Sequence, residues 1–178
     1  MNDEQLVQKA KKRNKKALLQ LVMQQKDDYY RLAYSYMGNS HDAMDAMEEM
    51  IIIFYEKIAQ LEKIESFYSW SKTILVNICK GKLKKKRREI VMDDLEQHNL
   101  LHTTDPYKYS VETLDIVQLL TKLTPVQAEA IKLKYFHDFD NETIASIMKV
   151  STGTVKSRIH NGLKRLKKMY GGEDKWNL

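Results

Sequence analysis

Apolar residues recur along most of this chain at the spacing of an α-helix, and no convincing alternating strand pattern accompanies them. The clearest apolar stripe lies within residues 150–168 and consists of Val155, Ile159, Leu163 and Leu166. The opposite face is basic and polar, without a carboxylate, and Ser151 precedes it as a residue suited to the N-cap. The pattern predicts an amphipathic helix, which must pack its apolar stripe on a neighbour.

Two shorter helices are predicted immediately before this segment. Residues 140–148 begin with Asp140 as an N-cap and carry on one side Ile144, Ala145 and Met148. Residues 124–136 begin with an N-cap, a proline at the first helical position and the glutamine of a capping box, which are Thr124, Pro125 and Gln127. Because the turn before Ser151 is very short, we expect a helix-turn-helix whose last helix enters the DNA major groove.

The N-terminal half is also predicted to be helical. The expected helices cover residues 4–23, with a break around Asn14, and residues 27–37, 41–60 and 69–88. The helix over residues 27–37 is expected to bury Tyr30, Ala33, Tyr34 and Met37. The last helix and the residues just before it share an apolar side that consists of Phe67, Trp70, Ile74, Leu75, Ile78 and Leu83.

A polar stretch of mixed charge, residues 89–110, shows no sustained period. Its length is unusual for a loop within one compact domain and is typical of an interdomain linker. A helix over residues 111–122 is expected to follow it, with core positions Val111, Leu114, Val117, Leu120 and Leu123. The predicted fold is therefore all-α, with two small helical domains at residues 1–90 and 111–170, a flexible linker at residues 91–110 and a tail at residues 171–178.

Charge is unevenly distributed along this chain, whose net charge is +6. Residues 80–88 contain seven cations and no carboxylate, which indicates either a polyanion partner or a solvated tail. Residues 41–60 have no cation before Lys57, and their first two turns concentrate Asp42, Asp45, Glu48 and Glu49. These carboxylates either stabilise a helix start or form an acidic surface that docks a basic partner.

The remaining features argue against catalysis and membrane insertion. Cys79 is the single cysteine, so no disulfide can form within the chain and a reducing compartment fits. No apolar run approaches about 18 residues and the N-terminus is polar, so we expect a cytoplasmic protein. His-Asp pairs at residues 41–42 and 137–138 raise the alternative of a metal-dependent hydrolase, but a metal site needs several converging ligands. We expect no catalytic residue, metal or cofactor.

Residues 123–168 resemble the fourth conserved region of bacterial RNA polymerase sigma factors of the extracytoplasmic-function (ECF) type. The most specific part is GTVKSRIH at residues 153–160, which follows LTP at residues 123–125 and YF at residues 135–136. Lys149 stands where the family usually has a turn glycine, and a positive φ there would cost about 1 kcal/mol. The resemblance implies a helix that reads the upstream (−35) promoter element through Ser151, Thr152, Thr154, Lys156, Ser157, Arg158, His160, Asn161 and Lys164.

The N-terminal half resembles the second conserved region of the same family. Asp42-Ala43, Asp45 and Glu49 match the segment that grips the coiled-coil clamp of the polymerase large subunit, although Glu48 stands where glutamine is usual. The resemblance implies core polymerase binding by Asp42, Asp45, Glu48 and Glu49.

The following segment resembles the one that reads and melts the downstream (−10) promoter element. Melting needs a pocket for an extruded base and cations that hold the opened strand. The implied DNA contacts are Ser66, Phe67, Trp70, Asn77, Lys80, Lys84, Arg87 and Arg88. Lys80 replaces an aspartate that is common in the family.

The leading hypothesis is a promoter-specificity (sigma) subunit that binds core RNA polymerase and promoter DNA. The family also implies an anti-sigma factor, often membrane-anchored, that covers these surfaces. The alternative is a stand-alone helix-turn-helix regulator with an N-terminal sensor or dimerisation module. The order of the acidic helix, the SFYSW segment and the basic helix favours the sigma factor.

Overall fold

The computed structural model describes residues 2–93 and 120–169, with side chains described for residues 2–88 and 120–169. The described α-helices are α1 Asp3–Lys11, α2 Lys15–Gln24, α3 Lys26–Met37, α4 Ser40–Lys57, α5 Phe67–Asp93, α6 Pro125–Tyr135, α7 Asn141–Met148 and α8 Thr152–Met169. Two 3-10 helices, Ile58–Gln60 and Ile64–Ser66, connect α4 to α5. No strand occurs within these residues, and the all-α prediction is confirmed.

The chain divides into two compact units, Met1–Asp105 and Pro106–Leu178, and each has its own buried residues. α5 continues through Asp93, so the first three residues of the predicted linker are helical. The rest of that linker, the tail of residues 171–178 and most of the helix predicted over residues 111–122 lie outside the described residues. No described helix combines the length and apolar character that a membrane span requires.

Aromatic rings form the centre of the first unit, where α3, α4 and α5 pack against one another. The Phe54 ring of α4 makes edge contacts with Tyr29 and Phe67, at centroid distances of 6.2 Å and 6.0 Å. Its tilted contact with Trp70 has a centroid distance of 5.5 Å. Each aromatic pair of this kind adds about 0.5–1.5 kcal/mol beyond area burial, so the cluster fixes how α5 lies on α4.

The buried face of α3 differs from the predicted one. Leu32 and Ala33 are buried together with Tyr29. Tyr30, Tyr34 and Met37 are only half-buried. The prediction was wrong for these three residues because α3 packs on both α4 and α5, which centres its inward face near Tyr29. Tyr29 Oη lies 2.7 Å from Ser71 Oγ, and burial raises the pKa of the Tyr29 phenol. The phenol is therefore neutral at physiological pH and anchors α3 to α5.

The break predicted around Asn14 is confirmed, because α1 and α2 are separate helices on either side of it. The Asn14 side chain caps α2 by accepting a hydrogen bond from the Ala17 backbone N–H at 3.0 Å. Arg13, beside the break, donates to the Tyr55 carbonyl oxygen at 2.9 Å, near the end of α4. Cations suit a helix C-terminus, so this part of the basic N-terminal stretch has a structural role.

The segment between α4 and α5 also differs from the prediction. The helix predicted over residues 41–60 ends its α-helical part at Lys57 and finishes as a 3-10 turn. α5 begins at Phe67 rather than at residue 69. The earlier start follows from packing, because the fully buried Phe67 ring joins the aromatic cluster from the first turn of α5.

Helices α6, α7 and α8 enclose the core of the second unit. The predicted capping box at the start of α6 is confirmed: the Gln127 N–H donates to Thr124 Oγ1 at 3.4 Å, and the Thr124 N–H donates to Gln127 Oε1 at 3.3 Å. On α7 the buried side consists of Ile144, Ala145 and Ile147, whereas Met148, which the sequence predicted there, is half-buried.

The buried stripe of α8 includes a glycine that the sequence did not suggest. Val155, Ile159 and Gly162 are buried, and Leu166 packs against the cluster of Leu120, Leu123 and Ile131. Leu163, predicted to belong to the stripe, is 40% exposed. At about 100° per residue, Leu163 points roughly 70° away from the centre of this stripe. α6 approaches α8 closely at Gly162, where an added Cβ atom would lie 2.7 Å from Ile131 Cδ1.

Candidate functional site

The turn between α7 and α8 is held by backbone hydrogen bonds and by a cap. Lys149 ends α7 with a positive φ of 54°, the conformation for which the family usually has a glycine, and the Val150 N–H donates to the Ala145 carbonyl oxygen at 3.0 Å. Ser151 Oγ accepts from the Thr154 N–H at 3.1 Å, which confirms Ser151 as the cap of α8. The direction of α8 is therefore set by local contacts as well as by its buried stripe.

The face of α8 opposite the buried stripe carries polar side chains in one row. The exposed residues of this face are Lys156, Ser157, His160, Asn161 and Lys164. Ser157 Oγ donates to the Gly153 carbonyl oxygen at 3.0 Å, so the exposed hydroxyl can still accept a hydrogen bond. Arg158 and Thr154 lie at the border and are half-buried, whereas Ser151 and Thr152 are exposed at the helix start. α8 thus places all nine predicted −35 contacts on its N-terminal end, its exposed face or the border of that face.

A second polar row runs along α5. Trp70, Asn77, Lys84 and Arg88 recur at intervals of seven, seven and four residues, which places them on one side of the helix. Trp70 is half-buried against Phe54 and Phe67, whereas the other three are exposed. We define these four residues as the α5 polar row.

Phe67 does not belong to the exposed site residues. Its side chain is 1% exposed and its ring packs on Phe54, so Phe67 presents almost no surface for the direct DNA contact that the resemblance implies. Its burial supports Trp70, whose ring lies 6.1 Å from the Phe67 ring. The other predicted −10 contacts keep solvent-accessible surface: Ser66 and Lys80 are half-buried, and Arg87 is exposed.

An open groove of about 560 Å³ lies between α4 and α5. Its apolar lining comes from Ile53, Ile74 and Ile78, and its polar lining includes Asn77 of the α5 polar row. Charged side chains complete the lining, namely Glu49, Lys57, Lys82 and Lys85. An apolar groove with cations around it can accept a planar apolar group that carries a phosphate, such as a nucleotide.

The predicted acidic residues lie along one side of α4, which we call the acidic face. Glu48 and Glu49 are exposed, whereas Asp42 and Asp45 are half-buried. The sequence showed no nearby cation before Lys57, but the structure brings two from α5. Lys82 Nζ lies 3.2 Å from Glu49 Oε2, and Lys86 Nζ lies 3.6 Å from Asp42 Oδ2.

Asp42 also has a structural role at the start of α4. Its backbone N–H donates to Asn39 Oδ1 at 2.9 Å, and its Oδ2 accepts from Asn39 Nδ2 at 2.9 Å. The Asn39 hydrogen bond and the nearby Lys86 hold the pKa of the Asp42 carboxyl below its ordinary value. His41, Asp42 and Asp45 offer ligand atoms within 4.8 Å of one another, but capping and ion pairing account for the placement of Asp42.

Sequence reasoning missed two apolar residues on the same helix. Met44 and Ile52 are 54% and 60% exposed, and Glu48 lies midway between them at helical spacing. The signal was present in the run of isoleucines at residues 51–53, which exceeds what one buried face of a helix can accept.

The chain matches two protein-family profiles, one in each unit. The family described as "Sigma-70 region 2" matches residues 21–89, which include α3, α4 and most of α5. The family described as "Sigma-70, region 4" matches residues 113–166, which include α6, α7 and most of α8.

Curated relatives cover nearly the whole chain. RNA polymerase sigma factor SigV of Bacillus subtilis is 33% identical over 168 residues, covering 93% of this chain and 98% of SigV. ECF RNA polymerase sigma factor SigW of the same organism is 28% identical over 178 residues, covering 91% of this chain and 93% of SigW. Among solved structures, the sigma factor RpoE of Bartonella quintana, in complex with the anti-sigma factor NepR, is 25% identical with a TM-score of 0.67. That match covers 85% of this chain and 94% of RpoE.

The fold and the polar faces define an all-α DNA-binding protein with a helix-turn-helix unit. The chain belongs to the ECF family of bacterial RNA polymerase sigma factors. It is a promoter-specificity subunit that binds core RNA polymerase and directs transcription initiation by recognising −10 and −35 promoter elements. Members of this class are transcription regulators rather than enzymes.

Proposed function

We propose that the exposed face of α8 reads the −35 element in the major groove. Lys156 can donate to guanine O6 and N7, and Asn161 can pair with adenine N6 and N7. The helix start, where Ser151, Thr152 and Thr154 lie, suits a backbone phosphate because a helix N-terminus presents backbone N–H groups that have no partner within the helix. The observation that carries this assignment is the separation of faces on α8, with the apolar stripe buried and the polar row exposed.

The α5 polar row and the groove beside it bind the −10 element as an opened strand. Trp70 is half-buried and keeps exposed ring surface on which a base can stack, and such stacking is worth about 1–3 kcal/mol per base. Asn77 lines the groove and can hydrogen-bond a base edge there. Lys84, Arg87 and Arg88 supply cations for the phosphates of the separated strand.

The acidic face of α4 binds a basic surface of core RNA polymerase through Asp42, Asp45, Glu48 and Glu49. Met44 and Ile52 extend this surface, because exposed apolar side chains beside charges are typical of a protein interface. Carboxylates alone would give a salt-sensitive contact, and the two apolar residues add area that salt does not screen.

An anti-sigma factor is the proposed regulator of these surfaces. The similarity to the sigma factor RpoE, solved with the anti-sigma factor NepR, supports such a partner. The protein acts in the cytoplasm, where bacterial polymerase and the chromosome are located. It carries out no covalent chemistry and needs no metal or cofactor, because binding energy alone is sufficient for promoter selection.

Run-off transcription with purified bacterial core polymerase on genomic DNA fragments tests this function. We expect transcription to begin at defined start sites only when the chain is present. Asn77→Ala and Lys156→Ala should each abolish or strongly reduce transcription from these sites. Thermal unfolding of each variant provides the control for folding. Start sites that persist unchanged in both variants would contradict the assignment of these residues.

The same experiment separates the sigma factor from a stand-alone regulator. A stand-alone regulator would bind duplex DNA through the second unit, but would neither bind core polymerase nor produce new start sites. Duplex binding without initiation would therefore contradict the proposed roles of the α5 polar row and the acidic face.

A further inference from the structure

Two hydroxyl groups meet in the core of the first unit, beside the residue to which the proposed function gives the stacking role. Tyr29 Oη of α3 lies 2.7 Å from Ser71 Oγ of α5, and Trp70 is the residue before Ser71. We propose that Tyr29 and Ser71, which we call the hydroxyl pair, hold the Trp70 ring in the position where a base of the opened strand can stack on it. This inference rests on the proposed stacking role of Trp70.

The hydrogen bonds of the hydroxyl pair have a definite direction. Ser71 Oγ donates its single hydrogen to the Tyr68 carbonyl oxygen at 2.9 Å. Tyr29 Oη is therefore the donor to Ser71 Oγ. Burial raises the pKa of the Tyr29 phenol, so the phenol keeps the proton that it donates. Both side chains are 0% exposed, and a directional contact thus joins α3 to α5 within the buried part of their interface.

The start of α5 has several side chains that bond to its own backbone carbonyl groups. Ser69 Oγ donates to the Ser66 carbonyl oxygen at 3.3 Å, and Thr73 Oγ1 donates to the Ser69 carbonyl oxygen at 2.7 Å. Ser71 adds a third contact of this kind. Hydroxyl groups that bond to carbonyls of the preceding turn weaken a helix slightly and often bend it. The first turns of α5 therefore gain from an anchor on a neighbouring helix, and Tyr29 provides one.

The position of Ser71 determines that of Trp70, because consecutive helical residues differ by a rise of about 1.5 Å and a rotation of about 100°. A slide of α5 by one residue would carry Ser71 out of hydrogen-bonding reach of Tyr29. Apolar packing is not directional, whereas this hydrogen bond selects one register. The Tyr29 ring also supports Trp70 through Phe54, whose centroid lies 6.2 Å from Tyr29 and 5.5 Å from Trp70. Because Tyr29 is buried, an effect of its hydroxyl group on DNA binding must pass through other residues.

The test measures binding of the full-length chain to a fluorescent oligothymidylate of about twelve nucleotides, on which aromatic side chains stack without sequence preference. Trp70→Ala should weaken binding by about fivefold or more. Tyr29→Phe removes only the hydroxyl group and should weaken binding by about twofold to fivefold. Because the hydroxyl group acts through Trp70, Tyr29→Phe should have no further effect in the Trp70→Ala background. Additive losses of affinity, or an unchanged affinity of Tyr29→Phe, overturn the proposal.

A further set of variants separates positioning from stability. Ser71→Ala leaves the buried Tyr29 hydroxyl group without this partner, whereas Tyr29→Phe/Ser71→Ala removes both hydroxyl groups. The double variant should therefore be more stable to urea than Ser71→Ala, but its affinity for the oligonucleotide should stay at the reduced level. Recovery of affinity together with stability would show that the hydroxyl pair has only a structural role.

The control for stability is Leu21→Val. Leu21 is buried on α2, which packs on α1 and α4, and the shorter side chain leaves a small cavity there. Leu21→Val should lower the stability to urea without changing the affinity for the oligonucleotide. A loss of affinity in this variant equal to that of Tyr29→Phe would contradict a specific role of the hydroxyl pair.

Fluorescence of Trp70 tests the position of the ring without DNA. Trp70 and Trp176 are the two tryptophans of the chain, so Trp176→Phe leaves Trp70 as the single reporter. In this background, time-resolved anisotropy should show nanosecond motion of the Trp70 ring with a larger amplitude in Tyr29→Phe than in the chain that keeps Tyr29. Equal amplitudes would contradict the proposal.

Failure of this inference is distinguishable from failure of the proposed function. If Trp70→Ala weakens binding but Tyr29→Phe does not, the hydroxyl pair does not position the ring, and the stacking role of Trp70 stands. If Trp70→Ala has no effect, the stacking role fails first and this inference fails with it.

Discussion

Gly81 and Gly162 both lie within helices, but their surroundings differ. A Cβ atom added at Gly81 would meet nothing within 4 Å, whereas one added at Gly162 would lie 2.7 Å from Ile131 Cδ1 and 3.4 Å from Gln127 Cβ. Glycine in a helix interior costs about 0.5–1 kcal/mol relative to alanine. Gly81 therefore lowers stability without a packing benefit, and Gly162 permits α6 and α8 to approach closely.

We predict that Gly81→Ala raises the free energy of unfolding by about 0.5–1 kcal/mol. Gly162→Ala should lower it by about 1 kcal/mol, because overpacking of Ile131 outweighs the gain in helix propensity. Urea unfolding, monitored by circular dichroism, measures the free energy of unfolding of both variants and of the wild type. A gain in stability from Gly162→Ala would show that Ile131 can move aside without cost. Because Gly81 lines the groove beside Asn77, the DNA affinity of the more stable variant should also be measured.

Residues whose role depends on neighbours within one turn could be predicted from the sequence. The caps Asp140 and Ser151 and the capping box of Thr124 are of this kind, because donor and acceptor lie three residues apart. Residues whose role depends on another helix could not be predicted from the sequence. The partners of Glu49 and Asp42 lie far along the chain on α5, and the small residue at position 162 was unremarkable until α6 was packed on it.

At the scale of elements, the helix-turn-helix depends on the cap of α7. Asp140 Oδ1 accepts from the Thr143 N–H at 2.7 Å, and its Oδ2 accepts from Thr143 Oγ1 at 2.9 Å. These hydrogen bonds, chiefly the one from the Thr143 backbone, hold the pKa of the Asp140 carboxyl below its ordinary value. The cap therefore stabilises the folded state when the carboxyl is ionised.

We predict that Asp140→Ala lowers the free energy of unfolding of the second unit by about 1 kcal/mol near neutral pH. The pKa of the Asp140 carboxyl is lower in the folded state than in the unfolded state. The stabilisation from the ionised cap is therefore complete above the unfolded pKa of about 3.9 and is lost as pH falls through the folded pKa. The difference between variant and wild type should therefore shrink in acid. Asp140→Asn keeps an acceptor oxygen and should lose less, without this pH dependence. Amide hydrogen exchange in α7 measures the local stability of each variant as a function of pH. If the stability difference between Asp140→Ala and wild type did not change in acid, the assignment of Asp140 as an ionised cap would be contradicted.

Helix boundaries were predicted least well where tertiary packing decides them. α5 begins two residues earlier than expected because the buried Phe67 ring belongs to its first turn, and it continues past the basic run to Asp93. α3 buries Tyr29 instead of Tyr30 and Tyr34, because two neighbouring helices share its inward face. Periodicity located each of these helices but could not say which neighbour each side would meet.

At the scale of the whole molecule, the two units present different chemical groups for the proposed DNA contacts. The second unit presents hydrogen-bonding groups on α8 that can distinguish base edges. The first unit presents a ring, an amide and cations on α5, which are groups suited to stacking and phosphate contacts with a single strand. Specificity and affinity should therefore respond to changes in different units.

We predict that Lys156→Ala in the polymerase-bound protein weakens binding to the preferred −35 sequence by about 1–3 kcal/mol and relaxes the preference at one base position. Lys84→Ala should instead weaken binding to every promoter fragment alike and reduce the salt slope by about one. Titration of promoter fragments with single base-pair changes, at several salt concentrations, separates the two effects. Lys167→Ala is the control for Lys156→Ala, because Lys167 is also exposed on α8 but lies about three turns further along, in the last turn of the helix. If Lys156→Ala and Lys84→Ala lowered the affinity equally for all sequences, α8 would contribute charge without reading bases. That result would contradict the assignment of specificity to the second unit and of general affinity to the first.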